Sequence, residues 1–374
     1  MGIRSGSITF TRFFVPDPPT EEFWNFIDER LKEGSFKDLS GDNEVSRGFC
    51  SWDDIFDSTF AYASYHKGQY VAFNFRQDER RVPPLILKQY VRRALEKFRS
   101  ENDGRHPSHE EYEELKDEVH SRLLGRVLPR LSTCEVVWNP EGHWLIYGST
   151  NSKMIDAFLE HFERIFRIYP VPLYHANWAV LMLPLDNRQK DLLSSLVPLK
   201  SPKTLSEGRF LGYEFLTWLW FQAELNDGTV QLKDGRKADF GLGERLVLSR
   251  PDEGKERIVC TTKANELHEA RTALQQGKQV EELQLAVTID SHDYYFTINT
   301  TLWAIKGLKV PKQLVDEDPD EYFLERMFFT EQVMEFLDTA YTKFLSQRLN
   351  PGWESDVLPA IKSWIQGSPP EIMV

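Results

Sequence analysis

The sequence predicts an α+β protein, with antiparallel hairpins and sheets flanked by helices. Three observations predict it. Short alternating segments bracket the turns Lys67-Gly68 and Asn139-Pro140-Glu141-Gly142, as hairpin strands do. Between them lie helical stripes such as Ile155, Phe158, Leu159, Phe162 and Phe166. The order strand, helix, hairpin, two helices, hairpin, helix lacks the strict βαβ alternation of a parallel sheet. The 374 residues are 41% hydrophobic and 28% charged, enough for about two or three domains with a sizeable core.

Taken in order, Ser7–Phe14 is rich in β-formers and predicts a strand, which Pro16, Pro18 and Pro19 end. Thr20 predicts a cap for a helix over 21–33, with Glu21 and Glu22 complementing its dipole. Phe60–His66 and Gln69–Arg76 read as a hairpin. Pro83-Pro84 opens a helix over 84–100. Ser108 and Glu111 form a capping-box pattern for a second helix to about Arg126. The next hairpin leads to a helix that Ser152 caps and that runs to about Ile168. Five prolines over 170–207 predict an irregular connection. Gly212–Leu225 is a buried helix by composition, followed by strands near 229–233, 244–250 and 256–261. A helix over 265–276 ends at Gly277, and Val280–Ile289 pairs with Tyr294–Thr301. An acidic helix over 319–348 ends at Asn350-Pro351-Gly352. The expected organisation is an N-terminal α+β domain (1–169), a connection (170–207), a second α+β domain (208–312) and an acidic helical extension (313–374).

Several function classes lack support. The longest apolar run, Trp178–Leu185, is far short of the ~20 residues that span a bilayer. No basic-then-apolar leader opens the chain, and Gly6 breaks the myristoylation pattern begun by Met1-Gly2. Cys50, Cys134 and Cys260 cannot all pair and form no zinc pattern, so a reducing cytoplasm is expected. Asp239-Phe240-Gly241 stands without the other kinase elements. Gly241-x-Gly243 is no dinucleotide fingerprint, and no P-loop or nucleophile elbow is present. Pro251-Asp252-Glu253-Gly254-Lys255 has the letters of a PD…ExK nuclease, but all on one turn-like loop rather than on adjacent strands. His106-x-x-His109 reads as surface histidines rather than a metal site. No cofactor or metal is expected.

Charge is more informative. The net charge of −13 argues, by itself, against nucleic-acid binding. Yet residues 17–57 and 314–374 each carry −8, which leaves the rest at +3. Between Arg76 and Arg99 eight bases face three acids. Lys88, Arg92 and Glu96 stack at four-residue spacing, and Arg93 and Lys97 widen that face. Arg122, Arg126 and Arg130 repeat the spacing on the next helix, up to the break at Pro129. Two basic helical faces can track a phosphate backbone without reading bases. The alternative is solvated charge partly paired with Glu110–Glu118.

Several segments together resemble the RdgC family of recombination-associated proteins. They are Pro83-Pro84-Leu85-Ile86-Leu87-Lys88-Gln89, Leu115-Lys116-Asp117-Glu118-Val119, Leu123-Leu124-Gly125-Arg126, Arg130-Leu131-Ser132, Phe215-Leu216-Thr217-Trp218 and Gly277-Lys278-Gln279-Val280. The resemblance covers most of residues 7–310. It implies a horseshoe protomer that closes into a ring homodimer around double-stranded DNA. It also implies binding with little sequence preference, no catalysis, and restraint of a RecA-type recombinase in the cytoplasm, on the nucleoid. DNA-binding candidates, from the basic faces and the resemblance together, are Arg76, Lys88, Arg92, Arg93, Arg122, Arg126, Lys263 and Lys278. Leu128 stands where family members can carry an aromatic residue near the subunit contact. The acidic part after about 314 departs from the family in length, and both acidic ends are expected on an outer rim, or as a DNA mimic. Two other readings are an acidic protein that inhibits a recombinase directly, and a metal-dependent nuclease.

Overall fold

The computed structural model describes residues 2–16, 22–41, 43–196, 209–225, 228–250, 256–261, 264–311 and 318–367. Its first half contains β1 (Ile8–Phe14), α1 (Phe23–Glu33), β2 (Val45–Ser51), β3 (His66–Lys67), β4 (Tyr70–Glu79), α2 (Pro84–Glu101), α3 (His109–Leu124), β5 (Arg130–Asn139), β6 (Trp144–Tyr147) and α4 (Ser152–Phe166). Then come β7 (Val171–Pro172), α5 (His175–Met182), α6 (Asn187–Ser195), α7 (Arg209–Leu225), β8 (Thr229–Gln231), β9 (Lys237–Ser249) and β10 (Arg257–Thr261). The chain continues through α8 (Ala264–Gln275), β11 (Gln279–Ile289), β12 (His292–Asn299), β13 (Ala304–Lys309), α9 (Pro319–Arg348) and α10 (Leu358–Ile365). The α+β class and the antiparallel pairing agree with the sequence reading.

The strands join in one sheet, whose main path is β10-β9-β11-β12-β13-β1-β6-β5-β4-β2. Strand β1 is paired on both sides: Phe10 faces Ile305 of β13, and Phe13 faces Leu145 of β6. Because side chains alternate across a strand, β1 contributes to both cores. Ile8 and Phe10 enter the larger core, with Trp178, Phe215, Tyr294 and Tyr341. Phe13 enters the second, under α1 and α4, with Phe49, Phe73, Phe75, Phe158, Phe162 and Phe166. Helix α4 supplies that layer because its apolar residues recur at three- and four-residue steps, with Phe162 and Phe166 stacked at 4.3 Å.

Local differences from the sequence reading have identifiable causes. Helix α1 starts behind Glu22, whose backbone is left-handed (φ 58°) and gives no side-chain cap; Thr20 lies outside the described residues. Asn151, not Ser152, caps α4. The hairpin at 60–76 keeps only β3 against β4, because Phe60, Tyr62 and Ala63 adopt left-handed backbone and turn the chain. The stretch 170–207 is not irregular throughout. Pro172 precedes α5, Pro184 separates α5 from α6, and Asp186 caps α6, so these prolines punctuate helices.

The described part of the acidic C-terminal segment, residues 318–367, packs against the rest of the fold. Helix α9, about 45 Å long by its 30 residues, contacts both halves. Asp338 accepts two bonds from Arg12 of β1 (2.8 and 3.2 Å) and one from Trp178 (2.9 Å). Asp320 pairs with Lys67 at 2.6 Å, Glu331 accepts from Tyr70, Gln332 accepts from Tyr294, and Gln347 accepts from Trp218. Phe323, Val333, Leu337, Tyr341 and Phe344 are buried between these contacts. The helix is therefore part of the larger core, which its loss would open.

Removing the Asp338 carboxylate leaves Arg12, only 3% exposed, charged and unpaired. Asp338→Ala is expected to destabilise the fold by about 3–5 kcal/mol, read from denaturant midpoints. Burial also holds His161 and His175 down to about pH 4. Between that value and the ordinary ~6.5, the unfolded chain binds protons that the folded chain refuses, so stability falls as pH falls through this window. The loss between pH 7 and 4.5 should be smaller by about 2–3 kcal/mol in His175→Gln, in the same denaturant assay.

Candidate nucleic-acid interface

Strands β4 and β5 run side by side, with Glu79 opposite Arg130 at one end. The chain between those two residues leaves the sheet as an antiparallel helical hairpin, α2 and α3. This hairpin has its own core: Val82, Val91, Val119, Leu123 and Leu124, fringed by Leu87, Tyr90, Leu95 and Leu115. The apolar stripe of α2 faces α3, so its polar residues are turned outward. Ser108 and Glu111 form the reciprocal capping box of α3. Arg105 grips Glu111 with two bonds (2.8 and 2.7 Å) and holds its carboxyl down to about 2, closing the loop at the far end. At the sheet end, the Arg80 amide donates to the Glu44 carbonyl at 2.7 Å, and His120 lies 3.7 Å from the Glu44 carboxylate.

The predicted residues separate into two groups. Lys88, Arg92 and Arg93 are exposed on α2. Arg92 lies 3.4 Å from Glu96 in a loose surface pair, and Arg93 lies over the Tyr90 ring. Arg122, in the last turn of α3, and Arg126, in the turn after it, are exposed too. Gly125 ends the helix, so Arg126 and Arg130 do not continue the helical spacing; Arg130 opens β5 instead. In an antiparallel hairpin, the start of α2 and the end of α3 share one end. The topology thereby brings Lys88, Arg122 and Arg126 together with exposed Arg81 and Arg130, two residues of the same basic run that helical spacing alone does not single out. The outward face of α3 is acidic before its last turn, with Glu110, Glu114, Asp117 and Glu118 exposed.

Arg76 and Lys278 are not brought to this surface. Arg76 is buried on β4, where Nε and Nη2 bind both oxygens of buried Asp78 (2.8 and 2.7 Å). Its guanidinium also packs over Phe36 at 4.0 Å. Lys278 is 5% exposed and donates to Glu256 at 2.5 Å, which holds the Glu256 carboxyl below its usual range. A basic letter in a β-strand or after a helix does not reveal whether an acid awaits it, buried as Asp78 is or exposed as Glu256 is. Lys263 and the Pro251–Lys255 loop lie outside the described residues. His106 pairs with Arg99 at 2.9 Å, and His109 is the exposed first residue of α3. Among the described residues no group of His, Cys, Asp and Glu could hold a metal ion, and no helix is long and apolar enough to cross a membrane.

Residues 16–181 match the family model described as "Putative exonuclease, RdgC". Over that span, somewhat under half of its length, the chain is similar to the RdgC family. The chain is also similar to the recombination-associated protein RdgC of Dechloromonas aromatica (strain RCB), at 22% identity over 158 residues. That match takes in 41% of this chain and 50% of the relative, so the similarity spans about half the relative's length. The RdgC match runs from α1 into α5 and contains the whole α2–α3 hairpin. Lys263 and Lys278 fall outside it. The family description names an exonuclease and the relative's name does not, and the RdgC span offers no assembled carboxylate cluster among its described residues.

The two groups of basic residues should respond differently to truncation. Arg76→Ala strands Asp78 in the interior and is expected to cost about 3–5 kcal/mol. Lys88→Ala should stay within about 0.5 kcal/mol of the parent. Paired chemical denaturation curves check both.

Proposed function

We propose that this chain is a non-catalytic, sequence-independent double-stranded DNA-binding protein that acts in homologous recombination. The observation that carries the reading is the exposed cationic end of the α2–α3 hairpin, inside the RdgC span. Lys88, Arg92, Arg93, Arg122 and Arg126 are the proposed phosphate contacts, and Arg81 and Arg130 extend the surface. Arg76 and Lys278 are left out because each is already held by a carboxylate. Long exposed side chains on helices suit backbone contact, which gives affinity without sequence preference.

In this reading two copies close around the duplex and restrain a RecA-type recombinase by occupying its DNA, on the nucleoid in the cytoplasm. Leu85, Ile86 and Leu128, 70%, 45% and 88% exposed, supply an apolar surface at the same end of the hairpin for a subunit contact. A second reading, direct binding to a recombinase, draws on the acidic outer face of α3. A pull-down from nuclease-treated samples separates them: loss of the recombinase supports the DNA reading, and retention supports the protein contact.

Gel shifts on unrelated duplexes across a salt series should show similar affinities and a steep loss with salt. The triple charge reversal Lys88→Glu, Arg92→Glu and Arg93→Glu should weaken binding to every duplex alike. It should also flatten the log–log salt slope by about 0.9 for each phosphate that is no longer neutralised. Equal binding by parent and triple variant would remove the hairpin from the interface.

A further inference from the structure

A depression between β2 and α4 holds two arginines that the DNA reading does not use. Arg47 and Arg164 line an open cavity of about 360 Å³, with Ser46, Glu160 and His161 between them. The closest partner of each arginine is neutral, and the one acid that meets Arg47, Glu160, does so at 3.4 Å. The Arg47 Nε donates to Oε1 of Gln77, its neighbour across β2 and β4, at 2.9 Å. Arg164 donates from Nη2 to Nδ1 of His161 at 2.7 Å. For His161 to accept there, its proton sits on Nε2, which lies 3.1 Å from the Gly34 carbonyl and donates to it.

His161 is buried and wedged against Phe49, with ring centroids 4.7 Å apart. Burial keeps it neutral near neutral pH, and the positive charges of Arg164 and Arg47 act in the same direction. It therefore orients Arg164 without cancelling its charge. The cavity's one carboxylate, Glu160, lies 3.4 Å from Arg47 and is 77% exposed, which makes a weak and displaceable pair. Among the described residues no carboxylate pairs with Arg164.

We propose that this cavity binds a phosphate monoester dianion, held by the forked donors of Arg47 and Arg164. Two pre-aligned guanidiniums match the doubly charged terminal group better than the single charge of a backbone diester. Such a group is carried by a small phosphorylated molecule or by the 5′ end of a DNA strand. The site stands independently of the duplex surface on the hairpin.

Calorimetric titration of the full chain with inorganic phosphate tests it. Phosphate should bind, and Arg47→Ala and Arg164→Ala should each weaken it by about tenfold or more, the loss expected for charged hydrogen bonds. Arg164→Lys keeps the charge but loses the fork, and should fall between the parent and the alanine variant. Glu160→Gln removes the internal competitor for Arg47 and should tighten binding several-fold, which a merely structural role would not do. Duplexes with 5′-phosphate and 5′-hydroxyl ends then separate the sources: preference for the phosphate assigns a strand end, and equal affinity assigns a small molecule. No heat with millimolar phosphate, unchanged binding in both alanine variants, or weaker binding in Glu160→Gln would overturn the proposal. None of these outcomes depends on whether the hairpin binds duplex DNA.

Discussion

Strand β1 is held on both edges and on both faces. Its neighbours β6 and β13 come from opposite halves of the sequence. Around Arg12 the backbone is tied as well: its amide donates to the Trp303 carbonyl at 3.1 Å, and the Trp303 amide donates to the Leu173 carbonyl at 2.7 Å. The Arg12 side chain then reaches Asp338 on α9 and lies 5.0 Å from the Trp303 ring. One guanidinium therefore links the central strand to the longest helix. A buried ion pair is costly to form, and it is tolerated when further donors satisfy the carboxylate, as Trp178 does here. The sheet, both cores and the placement of the hairpin all follow from that junction.

Much of this was legible in the sequence because it is encoded locally. The 319–348 helix has the predicted span, marked by Asp318-Pro319 before it and Asn350-Pro351-Gly352 after it. The α3 capping box and the end of α8 before Gly277 are similarly local signals. What sequence reading missed depends on contacts between distant segments. Strand β2 contains Gly48 and polar residues and has a weak pattern; its place is set by pairing along β4. Strand β13 is short and contains Gly307, and only β1 and β12 make it a strand. The packing of helix α9 was hidden because its carboxylates are frequent, while Arg12 and Lys67, which meet Asp338 and Asp320, lie hundreds of residues away.

The same argument separates the basic residues. Lys88, Arg92 and Arg93 were readable because they share a helix whose opposite side is apolar. Arg76 sits in the same basic run but on a strand, two residues from the acid that captures it. Arg47 and Arg164 gave no local signal at all, since β2 and α4 meet only once the sheet is assembled. Global charge is a poor guide for a related reason. At physiological ionic strength charges more than about 8 Å apart are largely screened, so an approaching polyanion responds to the local surface. Several acids of the ends are consumed internally, as Asp320 is by Lys67 and Asp338 by Arg12.

The pairing of Ile8 with Leu308 has a consequence for how the chain is made. A ribosome adding roughly 5–20 residues per second completes β6 about 8–30 s before it delivers β13. Throughout that interval the nascent first half carries β1 with one edge unfilled. An open strand edge of this kind templates pairing with other chains, and closing so long a loop is intrinsically slow. The length of time for which that edge stays open is thus set by the order of strands in the sheet.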